Sequence, residues 1–137
     1  FNRLRDHLEA HAMAEEKYFY PTLLQLGKGA LDSDSADETT EDAIDDHNKI
    51  ANAADAALNE EVGSDAWWKC VDKANYQNSA HLSEEERQGL TDFRRRVPLE
   101  KRIALGIKYL AFEADHVTNV EREEKDPDAY IEENEAA

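Results

Sequence analysis

The sequence predicts an all-α protein, most simply an antiparallel helical bundle. Three observations carry this reading. Glycine and proline are scarce, at five and three of 137 residues. Apolar residues recur at three- and four-residue spacing almost throughout, the period of a helix with one buried face. No stretch alternates polar and apolar residues for long, as a half-buried strand would.

The first helix runs from Phe1 to about Leu26, with Leu4, Leu8, His11, Glu15, Phe19 and Thr22 on one stripe and Pro21 as a late kink or stop. Residues 27 to 40, rich in Gly, Asp and Ser, read as a loop. A second helix starts near Thr40, a good N-cap before an acidic first turn, and runs to about Glu60. Ile44, His47, Ile50, Ala54 and Leu58 form its inner face. Ser64 or Asp65 caps a third helix whose stripe is Trp67, Cys70, Val71, Ala74, Gln77, Asn78, His81 and Glu85. Val97-Pro98 breaks the chain, and Pro98 opens a fourth helix reaching about Glu124. Ile103, Ile107, Leu110, Ala114 and Val117 make one apolar face of that helix, and Tyr109, Phe112, His116 and Val120 a neighbouring one. Asp126-Pro127 ends it, so residues 1–127 read as a single helical domain and 128–137 as an acidic tail.

Charge narrows the function. Sixteen basic against 32 acidic residues give a net charge of −16, which excludes a nucleic-acid binder, since phosphate contacts need a Lys/Arg surface. It also excludes a polybasic membrane anchor, and no apolar run approaches the roughly 20 residues that a spanning helix needs. A single cysteine, Cys70, rules out an internal disulfide framework and points to the cytoplasm.

Two of the five histidines share a pattern. His11-Ala-Met-Ala-Glu15-Glu16 and His81-Leu-Ser-Glu-Glu85-Glu86 both read H-x-x-x-E-E. A His and a Glu four apart lie one turn apart on the same helix face. Both pairs interrupt core-facing stripes, where a carboxylate without a cation would be costly. With His47 on a third core face, three His and two Glu point to a metal cluster rather than to separate buried polar residues. The donor set suits iron, manganese or zinc, and spacing alone does not choose.

The two motifs stand 70 residues apart, and His47 precedes the second by 34. A duplicated helix pair would put a counterpart of His47 about two dozen residues ahead of Phe1, so an N-terminal helix is expected to be missing from this chain.

The pattern H, H-x-x-x-E, H, H-x-x-x-E on a helical bundle resembles the hemerythrin-like, or HHE cation-binding, domain. LEAHAMAEEKYFYPTL looks like that family's second helix, Asp46-His47 like its third, and AHLSEEE like its fourth. The resemblance covers roughly residues 1 to 105 and implies a four-helix bundle around two iron ions joined by an oxo or hydroxo bridge. By carry-over, His11, His47 and His81 are terminal ligands, and Glu15 and Glu85 are bridging carboxylates. It implies binding, sensing or storage of O2. The alternatives are peroxidase- or catalase-like turnover, nitric-oxide chemistry, a zinc-bound structural bundle, or a metal-free module completed by a second copy as a homodimer. His116 is the candidate to replace the absent first-helix His, helped by Asp115 before it, whereas His7 is expected to be a bystander. Met13, Tyr18, Phe19, Trp67 and Tyr76 are candidates for the shell around the metals.

Overall fold

The computed structural model describes residues 1–30 and 34–135. Among these there are helices and no strands. The chain forms α1 (Asn2–Ala14), a π-helical turn (Glu15–Phe19) and α2 (Tyr20–Leu26), which run on without a break. They are followed by α3 (Ala36–Leu58), α4 (Asp65–Arg87), α5 (Gly89–Arg96), α6 (Leu99–Asp115) and α7 (Pro127–Glu135).

The π turn has a local cause. Pro21 has no N–H to donate to the Lys17 carbonyl, and its ring crowds that carbonyl. The ladder slips by one residue, so the Tyr20 N–H bonds to the Glu15 carbonyl instead. In a regular helix Glu15 and Glu16 would point about 100° apart. The wider turn buries both carboxylates. Such turns recur at functional sites, and here the turn begins at Glu15, one helical turn after His11.

α3 starts earlier than the sequence suggests. Ser35 and Glu38 form a reciprocal capping box, with Glu38 N–H on Ser35 Oγ at 3.2 Å and Ser35 N–H on Glu38 Oε2 at 2.9 Å. Thr40, the expected cap, is buried one turn further on and donates to the Ala36 carbonyl. The expected loop over 27–40 is therefore shorter, and residues 31–33 within it lie outside the described residues. Ser64 caps α4 as expected, accepting from the Trp67 N–H at 3.1 Å. α3 and α4 pack along their lengths, and α1 lies against α3. The core joins Phe19, Tyr20 and Leu23 to Ala43 and Ile44 of α3, Phe93 of α5 and Tyr130 of α7. Burying a side chain such as Leu23 in full contributes about 1.5–3 kcal/mol.

Three elements depart from the sequence reading. The chain bends at Gln88 into α5, where buried Asp92 accepts the N–H groups of Lys28 and Gly29 at 2.9 and 2.7 Å and so ties down the end of α2. α6 stops at Asp115, well short of Glu124. Its face of Ile103, Ile107 and Leu110 is turned to solvent, each more than half exposed, while Leu105, Tyr109 and Phe112 turn inward toward α1 and the π turn. The segment expected as an acidic tail forms α7 on α2 and α3, because Tyr130 supplies one large apolar ring that those helices bury.

Candidate metal centre

α1, the π turn, α3 and α4 aim their polar side chains at one point. Glu15, His47 and His81 are all buried, and their donor atoms lie within 4.8 Å of one another. His47 Nε2 stands 3.0 Å from Glu15 Oε2 and 3.2 Å from His81 Nε2, and His81 Nε2 stands 3.8 Å from Glu15 Oε2. The other oxygen of Glu15, Oε1, lies 2.9 Å from His11 Nε2. One carboxylate thus faces nitrogen donors on both sides. Glu85, one turn beyond His81, is buried and accepts the Tyr20 hydroxyl proton at 3.0 Å.

This donor set fits a cation. Two ligands held on one ion at about 2.1 Å stand about 3.0–3.4 Å apart, close to the spacing of the His47 and His81 nitrogens. Glu15 Oε2 is buried and faces the Nε2 atoms of His47 and His81, a place where a carboxylate oxygen needs a cation or a donated proton to meet it. A cavity of about 20 Å³ between His11, Glu15, His47 and His81 has room for one small ion or water.

Charged neighbours set the protonation of the cluster in the absence of metal. Burial pushes the Glu15 carboxyl up, but hydrogen bonds from His11, His47 and His81 outweigh it and hold it well below the usual carboxylate range. Burial lowers His47, yet Glu15 and Glu16 raise it to about 9. Glu15 and Glu113 likewise raise His11, against its burial, to about 9. Burial, and then the Glu15 charge, push Glu85 up to about 7.

A histidine raised from 6.5 to about 9 contributes ion-pair stability below pH 6.5 and loses it as pH rises through 9. A metal has to displace those protons. The thermal stabilisation given by added divalent metal is therefore expected to be larger near pH 9 than near pH 6.5, with protons released on binding. Calorimetry in two buffers of different ionisation enthalpy measures this, and uptake with no proton release would contradict it.

Other residues hold the side chains of the cluster in place. The His47 Nδ1–H donates to Glu16 Oε1 at 2.8 Å, which fixes the tautomer and leaves Nε2 free for the cluster. Glu16 is gripped in turn by Arg122, with Nε at 2.7 Å and a terminal nitrogen at 2.6 Å, and by Lys125 Nζ at 2.7 Å. Burial raises the Glu16 carboxyl, but the His47 and Arg122 contacts overcome it and hold it at about 2. Asn48 clips the 122–125 segment to α3 by accepting from Arg122 at 3.0 Å and donating to the Lys125 carbonyl at 2.7 Å. Glu113 of α6 accepts from His11 Nδ1 at 2.8 Å. Only the doubled Glu in H-x-x-x-E-E gave a sequence signal for Glu16, and nothing singled out Arg122, Lys125 or Glu113.

His11, Glu15, His47 and His81 meet as the spacing predicts, with Glu85 beside them. His116 does not join them. Its Nδ1 bonds to the Phe112 carbonyl at 2.7 Å and its ring stacks on Phe112 at 3.9 Å, because α6 ends there. His7 is exposed. Tyr18 and Phe19 line an open cleft of about 410 Å³ that reaches His11, Glu15 and Glu85. Met13 lines a different cavity, beside Glu16. Tyr76 is 71% exposed, and Trp67 packs on Phe1, so neither belongs to the shell.

No helix among the described residues is long and apolar enough to cross a membrane. Comparison with curated proteins and with solved structures returns no match. Residues 1–95 match a family model described as the hemerythrin HHE cation binding domain.

Proposed function

Because the chain belongs to the hemerythrin HHE cation-binding family, we propose that its cluster holds two iron ions and binds O2 or a similarly small ligand. The observation that carries this is the position of Glu15, with Oε2 against His47 and His81 and Oε1 against His11. A carboxylate with nitrogen donors on both sides is placed to join two ions rather than to hold one. His11, His47 and His81 are the terminal donors, and Glu85, steadied by the Tyr20 hydroxyl, is the second carboxylate. Imidazole and carboxylate together suit iron, and the family favours it over zinc or manganese.

When bound, the iron pair supplies the two electrons that O2 takes up on binding. The protein's part is access and polarity. The cleft walled by Tyr18, Phe19, Leu82, Leu90, Phe93 and Leu105 leads a small apolar molecule to Glu85 and His11. Its carbon walls favour O2 over water at the cluster. Glu16 keeps the His47 ring from turning when a ligand arrives.

The breadth of the cleft favours a second reading, peroxidase- or catalase-like turnover of hydrogen peroxide, since about 410 Å³ admits more than a diatomic molecule. One experiment separates the two. Ferrous protein is exposed to O2 under an absorption spectrometer and then flushed with argon. A spectrum that returns to the ferrous form supports reversible binding. Irreversible oxidation with steady consumption of added peroxide supports the enzyme, and no response to either sinks both.

A further inference from the structure

Glu15 Oε1 has two polar neighbours. His11 Nε2 stands 2.9 Å away and the Tyr109 hydroxyl oxygen 3.5 Å away, and that oxygen lies beside the imidazole edge, 2.7 Å from His11 Nδ1 and 3.3 Å from His11 Nε2. The three atoms close a triangle. The opposite side of Glu15 repeats it, with His47 Nε2, His81 Nε2 and Oε2 at 3.0, 3.2 and 3.8 Å. Each triangle has edges near those of three donors around a single ion. They share Glu15, one oxygen each.

We propose that Tyr109, carried in by α6, is a ligand of the second metal ion, completing with its phenolate oxygen the set begun by His11 and Glu15 Oε1. This rests on the two-iron reading above. In the sequence reading the vacancy beside His11 fell to His116, which is engaged with Phe112 instead. α6 packs along α1 and the π turn, and that packing brings Tyr109 to His11. Its ring meets the His11 ring edge-on at 5.6 Å. Glu113, one turn further along α6, takes the His11 Nδ1–H, so the same helix fixes the imidazole with Nε2 toward the ion and supplies the third donor. On coordination the O–H bond breaks, its electron pair stays on the oxygen, and the proton leaves to solvent through the cleft that Tyr109 lines. A hard, anionic oxygen suits ferric iron.

The test loads wild type and Tyr109→Phe with iron alone, oxidises both in air, and records visible absorption, resonance Raman spectra and iron per chain. Wild type is expected to hold two irons and show a tyrosinate-to-ferric charge-transfer band with phenolate ring vibrations. Tyr109→Phe is expected to lose the band and to bind its second iron at least about tenfold more weakly, while the iron at His47 and His81 stays. Tyr109→His, which restores a donor, is expected to recover the second iron without the phenolate signature, and it guards against a folding defect. Two irons in wild type with no phenolate signature would overturn the proposal, as would an unchanged spectrum and stoichiometry in Tyr109→Phe. Wild type that takes up no iron at all would sink the two-iron reading itself, and this proposal with it.

Discussion

Glu15→Ala is expected to empty both metal positions at once. Glu15 places one oxygen against His11 and the other against His47 and His81. Removing it leaves Glu85 as the one carboxylate proposed to bind metal beside the three histidines, with nothing shared between the two positions. Iron retained after desalting should fall from two ions per chain to fewer than one, whereas His11→Ala should cost only the ion on its own side. Elemental analysis of the two variants side by side checks this. Equal losses in both, or a Glu15→Ala protein that keeps its iron, would show that Glu15 is not shared.

Replacing Glu16 by Ala should give the largest loss of stability from any single polar change near the site. Arg122 is 1% exposed at its side chain, and Glu16 is 3% exposed. Taking away the carboxylate strands a buried guanidinium beside Lys125. Breaking such a pair from one side costs about 3–5 kcal/mol, or about 10–20 °C in melting temperature for a chain of this size. The partner substitution Arg122→Ala should cost a similar amount, and the double variant less than the sum. Acid should show the same interaction. A carboxyl held at about 2 rather than 4.5 contributes stability that is present above pH 4.5 and lost as pH falls toward 2. Wild type should therefore lose stability over that range more steeply than Glu16→Gln. Parallel melting curves for the two proteins through the acid range would contradict the account. Glu16→Gln should also weaken metal binding about 10–100-fold, because His47 loses the acceptor that fixes its ring.

The candidate ligand positions are legible in the sequence because a helix makes spacing into geometry. His11 with Glu15 and His81 with Glu85 could be paired from their separation alone, and His47 from its place on an apolar stripe. What holds those ligands was not legible, for three physical reasons. Glu16 lies in the π turn, and periodicity assumes a regular helix. Arg122 and Lys125 arrive along a non-helical segment, where no repeat marks which side chains turn inward. α6 carries two apolar faces, and the one with Ile103, Ile107 and Leu110 is turned to solvent. Amphipathic spacing says that a helix has an apolar face; it does not say which neighbour is there to cover it. The face that turns inward carries Tyr109 and Glu113, and their contacts with His11 help to settle which way α6 lies. α7 was missed for a related reason: one buried ring, Tyr130, anchors a segment whose composition is otherwise that of a solvated tail.

One shared carboxylate and its histidines are proposed to hold a pair of iron ions. The most direct measurement is an anaerobic titration of the metal-free protein with ferrous iron, followed to saturation, with iron per chain determined by elemental analysis at the end point. The account predicts saturation at two ions per chain, with the second lost in His11→Ala and the first in His47→Ala. Saturation at one ion, or no uptake, would contradict it.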